Sequence, residues 1–366
     1  MALALVALAY GMGCQLVLGI DPDVEVRGDD GPRCDPARVD QDAHHCGVCN
    51  HDCLGGACIA GVCQPWVLAD SAGPPTDIAV DATYVYWSTS DGSLHRVRKD
   101  GTGEAILQSG VTAGIARIAL DESHVYFREP DGSSGTPRIH VSDKDGASPL
   151  VVATNQPGKA GLASNGSALF WARTDDTNVG GIQRAVPSGA GTVDVSAVTA
   201  QDLQYPQEVA ADSGFVYFGE GTNGGLWQAA IGGGGAPIRL SGCKDYVNAI
   251  AVDEANVYFT TDAGDVTSTQ KGDPATNGCE APSARVLLHD PAGGPALGIA
   301  LGGELVVWTR PTLGRVSSTA KSGSCSPPPC ARDLATNQPS PGRAAADSAA
   351  AYYVNQGDGT IRKVAF

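Results

Sequence analysis

The sequence predicts an all-β, seven-bladed β-propeller behind a small disulfide-rich module, and three observations predict it. Aromatic pairs recur seven times, at Tyr86-Trp87, Tyr126-Phe127, Phe170-Trp171, Tyr217-Phe218, Tyr258-Phe259, Val307-Trp308 and Tyr352-Tyr353. Successive pairs lie 40 to 49 residues apart, the length of a four-stranded blade. Thirteen of those fourteen positions are aromatic in a chain with only 21 aromatics, so chance does not account for the repeat. Glycine (48) and proline (23) punctuate the chain, and long apolar patterns of helical period are missing, which favours short strands joined by turns. Finally, six of the eleven cysteines crowd between Cys34 and Cys63, where almost no large apolar side chain could order the segment without cross-links.

Taken in order, residues 2–10 are an apolar run too short to span a bilayer, and they read as the h-region of an export signal. The run ends in Gly11-Met12-Gly13-Cys14, where small residues would admit a peptidase and the Cys14 thiol would take a lipid. Residues 1–14 are therefore the expected signal peptide and lipobox, and 15–33 an acidic linker carrying Asp21, Asp23, Glu25, Asp29 and Asp30. The formal net charge of −16 excludes phosphate-backbone binding, which needs clustered Lys and Arg, so no nucleic-acid partner is expected.

The module spans 34–64, with Cys34, Cys46, Cys49, Cys53, Cys58 and Cys63. With His44, His45 and His51 nearby, a tetrahedral zinc site is one reading. Three disulfides are the favoured one, because an export signal places these thiols in an oxidising compartment. Fifteen pairings are possible, and spacing does not choose among them. The run Cys34-Asp35-Pro36, His45-Cys46-Gly47-Val48-Cys49, Cys53 and Gly56-Ala57-Cys58-Ile59-Ala60-Gly61-Val62-Cys63 resembles the small module of myxobacterial secreted lipoproteins. That resemblance implies an exported module and no chemistry of its own.

The propeller is expected over 65–366. Before each aromatic pair lies a small-apolar strand such as Ile78-Ala79-Val80 or Ile118-Ala119-Leu120, suited to an innermost strand crowded against its neighbours. Asp81, Asp121, Asp212, Asp253 and Asp347 follow five of these strands, where a short carboxylate can hold a turn; Asn165 and Gly302 stand in the other two. Third strands carry Leu94, Ile139, Ile182, Leu226, Val266, Val316 and Ile361, with Gly two residues earlier in six of them. Two fourth strands continue alike, as Ala153-Thr154-Asn155-Gln156-Pro157 and Ala335-Thr336-Asn337-Gln338-Pro339. The chain stops after a third strand at Phe366, so the strand 66–70 is expected to complete the last blade and cover its edge. Aromatic pairs followed by Gly-x-apolar strands resemble the YWTD/NHL-like secreted propellers of bacterial envelopes, which are often six-bladed; six is therefore the alternative count.

Candidate sites are few. Loops between second and third strands carry Asp91, Glu129, Asp131, Asp175, Asp176, Glu220, Asp262, Asp265 and Asp358, interleaved with Arg128, Arg173, Arg310 and Arg315. Such carboxylates suit Ca2+, and Asp262 with Asp265 is the candidate pair, although the same residues are ordinary hairpin formers. His95, His124, His140 and His289 occur singly, no catalytic motif is present, and Gly232-Gly233-Gly234-Gly235 leads to a strand rather than to a helix. Cys325 and Cys330 are expected to close their own loop. Cys243 then pairs with Cys279, or Cys279 meets Cys325 or Cys330 and leaves Cys243 free. The expected function is a monomeric, exported, lipid-anchored scaffold at the cell envelope, binding a protein or glycan and needing no cofactor. The alternative is a hydrolase or lyase using loop carboxylates or a divalent metal at the channel mouth.

Overall fold

The computed structural model describes residues 34–366 apart from 72, 131–135, 147–148, 159–160, 188–192, 201, 222–223, 243–245, 277–280 and 324–330. Cys14, the acidic linker, Asp131, Cys243, Cys279, Cys325 and Cys330 lie outside the described residues. The chain is all-β, with seven antiparallel sheets around a central channel and a two-stranded hairpin in the cysteine module. Six blades run from inner to outer strand in chain order, over 75–108, 117–154, 162–204, 206–241, 247–288 and 298–335. The seventh takes three strands from 341–365 and its outer strand from Trp66–Asp70. That strand runs antiparallel to Thr360–Ala365, with Trp66 opposite Lys363 and Asp70 opposite Thr360, so the ring closes through residues nearly 300 positions apart in sequence.

The aromatic pairs explain the packing. Neighbouring side chains on a strand point to opposite faces of its sheet, so each pair serves two blade interfaces at once. Tyr86 packs forward against Phe127 of blade 2, and Trp87 packs back against Tyr352 of blade 7. The same alternation fills the remaining interfaces: Tyr126 with Trp171, Phe170 with Phe218, Tyr217 with Phe259, Tyr258 with Trp308, and Val307 with Tyr353. Leu94, Ile139, Ile182, Leu226, Val266, Val316 and Ile361 are each fully buried on the third strands. The core is therefore seven like interfaces, with none at the centre. Gly92 adopts φ +89 in its hairpin, as the turn requires, but Gly180 does not have a positive φ. Asn178, at φ +64, takes the left-handed position there, and Gly180 is small because a Cβ would strike the Arg173 carbonyl.

The corner aspartates do more than hold turns. The Asp81 carboxylate accepts the backbone N–H groups of Thr83 and Tyr84 and the Tyr86 hydroxyl. Asp121, Asp212, Asp253 and Asp347 do the same with Tyr126, Tyr217, Tyr258 and Tyr352. Blades 3 and 6, which lack the Asp, have Phe170 and Val307 in place of the Tyr, so hydroxyl and carboxylate come and go together. A lysine from the next blade then reaches four of the five: Lys144 to Asp81, Lys271 to Asp212, Lys99 to Asp347 and Lys321 to Asp253. Asp121 has His124 instead. Where the Asp is missing the lysine is too, and Phe366 fills the space against Gly302.

Burial works to raise the Asp81 pKa, but the Lys144 ammonium, two N–H groups and the Tyr86 hydroxyl outweigh it and hold it at about 2. Asp121, Asp212, Asp253 and Asp347 are lowered against the same opposing burial. These carboxyls ionise more readily in the folded chain than in the unfolded one, where Asp titrates near about 3.9. Their stabilisation is whole above that pH and is lost as pH falls toward about 2. The melting temperature is expected to drop steeply across this window, and less steeply in Asp81→Asn; a parallel slope in a calorimetric pH series would contradict the latch.

The repeated Ala-Thr-Asn-Gln-Pro segments have one purpose. Asn155 and Asn337 turn the chain in the left-handed region, at φ +56 and +55, which Asn tolerates. The following Gln then reaches the second aromatic of the next blade. Gln156 Oε1 accepts the Trp171 indole N–H at 3.0 Å, and Gln338 Oε1 accepts the Tyr353 hydroxyl, Asn355 Nδ2 and an Arg362 N–H. Removing an acceptor strands buried donors at roughly 1–3 kcal/mol each. We expect Gln338→Ala to cost about 3 kcal/mol and Gln156→Ala about 1 kcal/mol in urea unfolding.

In the module, Cys34 joins Cys49, Cys46 joins Cys58 and Cys53 joins Cys63. Among the described residues the single cluster of three metal-capable groups is Cys46, Cys53 and Cys63, and all three sulfurs are spent in these bridges. The bridged cysteines pack on Ala365, and the His51 ring bonds the Phe366 carbonyl oxygen. The Trp66 ring, at the start of the closing strand, lies between Gly55 of the module and Gly101 of blade 1, where a Cβ would collide with it. Lys363 Nζ sits 4.9 Å from the centre of the same ring.

Candidate functional site at the channel mouth

Each inner strand pairs an apolar residue with the second aromatic of its blade: Ile78 with Trp87, Ile118 with Phe127, Leu162 with Trp171, Val209 with Phe218, Ile250 with Phe259, Ile299 with Trp308 and Ala344 with Tyr353. The preceding residue of each forms one ring about the axis: Asp77, Arg117, Gly161, Glu208, Ala249, Gly298 and Arg343. Two acids, two arginines and three small residues thus occupy equivalent places. In blades 1, 4, 5 and 7 a bulge interrupts the pairing here and bends the strand's entry.

The charges answer one another. Arg117 donates to Glu208 Oε1 at 2.6 Å, and Arg343 donates to the same oxygen. Arg343 also donates to the Asn248 carbonyl at 3.0 Å, and Arg117 to the Ala116 carbonyl at 2.8 Å. Asp77 accepts the Ile78 and Ile118 N–H groups. Burial tends to raise the Glu208 pKa, yet the two guanidiniums prevail and lower it. At Asp77 burial prevails over Arg117 and Arg343, and the pKa is raised. Above this floor opens a recess of about 380 Å3, walled by Thr76, Gln207, Asn248 and Gln356 with Thr174 and Tyr205.

Among the described residues, the acids anticipated in the second-to-third-strand loops do not converge. Asp91 bonds Thr89, and Asp175 bonds Thr177 and Val179 within its own turn. Asp358 bonds Thr360 and Arg362. Glu129 meets His140 at 3.1 Å, and Glu220 accepts the Gln204 N–H at 2.7 Å. Asp176 is exposed. Asp265 is taken by His289 at 2.6 Å while Asp262 is exposed, and among the described residues neither belongs to a cluster of three metal-capable groups. His95 and His140 stack on Trp87 and Phe127, and burial lowers both pKa values, so they are packed neutral rings.

Of the loop arginines, Arg128 is fully buried and donates to the carbonyls of Gln156, Pro157, Gly161 and Ala172. Arg310 clips Gly264 and Asp290 in the same manner, and Arg315 lies 3.3 Å from Asp333. Arg128 and Arg310 sew neighbouring blades together, and Arg315 ties two strands within blade 6. Sequence reasoning passed over Asp77, Arg117, Glu208 and Arg343. A signal existed: each immediately precedes the inner-strand motif, and the signs balance.

No protein-family model and no curated protein sequence matches this chain. Solved structures do resemble it. Virginiamycin B lyase from Staphylococcus aureus is 12% identical over 83% of this chain and 98% of its own, with a TM-score of 0.63. The β-propeller domain of Myceliophteria thermophila Cps50 (Swd1) is 10% identical over 83% and 100%, also at 0.63. The WD40 β-propeller domain of Doa1 is 12% identical over 82% and 96%, at 0.58. At such identities the likeness shows the fold alone.

Proposed function

We propose that this chain is an exported β-propeller scaffold, tethered to the cell envelope by a lipid on Cys14, that binds a ligand at the mouth of its channel. The observation that carries the binding role is the channel floor, where Asp77, Arg117, Glu208 and Arg343 are held by one another and by the backbone beneath an open recess. Charges committed in this way position a rigid surface and leave the recess walls to make the contacts. Three disulfides within 34–63 support an oxidising compartment, and Gly11-Met12-Gly13-Cys14 supports the lipid.

Two measurements test this. Expression with labelled palmitate should label the envelope fraction in wild type and not in Cys14→Ser; equal labelling would remove the anchor. Immobilised protein should retain a component of an envelope extract that is released by Gln207→Ala and by Tyr246→Ala, the latter an exposed ring that flanks Gly221 opposite Tyr205 and the Gln207 amide at the edge of the recess. Retention indifferent to both substitutions would move the binding face away from the mouth.

A further inference from the structure

We infer that the channel mouth takes an uncharged saccharide. This deepens the reading of the mouth as the binding face and rests on it. The argument starts from charge. Two guanidiniums and two carboxylates make up the floor, Arg117 and Arg343 share one Glu208 oxygen and Asp77 accepts two backbone N–H groups, so the charges of the floor balance and an ionic ligand would lose its hydration for little return. The wall chemistry argues against an apolar ligand as well. Gln207 and Gln356 each bring an amide with both a donor end and an acceptor end, and Asn248, whose Nδ2 donates to the Ala296 carbonyl at 3.1 Å, adds its amide oxygen. Sugar hydroxyls are donors and acceptors at once, in neighbouring pairs, and planar amides match them.

The third observation is aromatic. Tyr205 stands in the recess wall with φ +54, a left-handed conformation that is an outlier for a bulky side chain. Its N–H donates to the Asn178 carbonyl at 2.6 Å and its carbonyl accepts from Gly221 at 3.0 Å, which fixes the strained turn. Gly221 lies between two rings: a Cβ there would come within 2.7 Å of Tyr205 and 3.1 Å of Tyr246, with the Gln207 amide at 3.2 Å. Tyr246 is 41% exposed. Two tyrosines closing on a glycine beside an amide offer an apolar ring face and polar tips. A pyranose has the complementary construction, with C–H bonds on its face and hydroxyls at its edge. The recess of 380 Å3 falls at the small end of ligand sites, which run from about 300 to 1,000 Å3, and so suits one or two sugar units.

Isothermal titration decides the matter. The probes are glucose, galactose, mannose, N-acetylglucosamine and their common disaccharides, set against glucuronic acid, glucosamine and tetra-alanine. At least one neutral saccharide should bind with a Kd below roughly 10 mM, and its affinity should fall at least about tenfold in Tyr246→Ala and in Gln207→Ala with the melting temperature unchanged. Its charged counterpart should bind at least about tenfold more weakly. The inference is overturned if no neutral saccharide binds, if binding ignores both substitutions, or if the charged sugars bind as well. Should tetra-alanine or an envelope protein be held through Tyr246 while neutral saccharides are not, the mouth remains the binding face and only the sugar assignment falls. Should nothing depend on Tyr246 or Gln207, both readings fall.

Discussion

Glu208→Ala should destabilise this propeller by about 3–5 kcal/mol, more than any other single charge removal in the channel. The carboxylate is buried and receives Arg117 and Arg343 on one oxygen. Truncating it leaves two guanidiniums on side chains only 18% exposed, with Asp77 as their remaining opposite charge nearby, and a largely desolvated charge without its partner is the costly case. A second variant separates charge from packing. Replacing the whole set, with Asp77→Asn, Arg117→Met, Glu208→Leu and Arg343→Met, should recover most of the loss, because an uncharged plug of similar volume has no charge to solvate and the asparagine amide keeps an acceptor for the backbone N–H groups. Urea midpoints at constant slope measure both. A Glu208→Ala variant within about 1 kcal/mol of wild type would mean that the channel is wet enough to solvate the arginines.

The second large effect is at the seam. A chain beginning at Ser71 loses the outer strand of the seventh blade, its ladder to Thr360–Ala365 and the packing of Leu68 and Ala69 against Ile361. Leu68 and Ala69 alone represent several kcal/mol of buried apolar side chain. Such a protein should melt in two steps or aggregate through the bared edge. Appending the sequence of residues 66–70 after Phe366 through a turn of about four residues should restore one cooperative transition, since Trp66 lies opposite Lys363 and the connection is a hairpin. Failure of that permuted chain to recover would assign the stability to the cysteine module, which packs on Ala365 and bonds the Phe366 carbonyl.

Much of this architecture could be read directly from residues. Seven aromatic pairs at blade-length spacing specify seven interfaces, because alternation along a strand sends one ring forward and one back. The corner aspartates were legible as turn formers, and their partnership with Tyr86, Tyr126, Tyr217, Tyr258 and Tyr352 was written in the same five-residue interval. The site was less legible. The loop acids drew attention because carboxylates next to glycines look like ligands, yet Asp91, Asp175 and Asp358 bond within four residues of themselves. Asp77, Arg117, Glu208 and Arg343 look unremarkable in four different blades.

The division has a physical basis. Repeat number, blade length, interface composition and corner turns depend on patterns within some 50 residues, where strand alternation and turn chemistry act locally and identically in every copy. The meeting of Arg117 with Glu208 across 91 residues, and of Glu208 with Arg343 across 135, depends on the curvature that closes seven blades into one ring. The choice among fifteen disulfide pairings is made by the path of the chain within the module, as Cys34–Cys49, Cys46–Cys58 and Cys53–Cys63. Charge attraction and thiol exchange act through space, and only the folded chain says which residues are near.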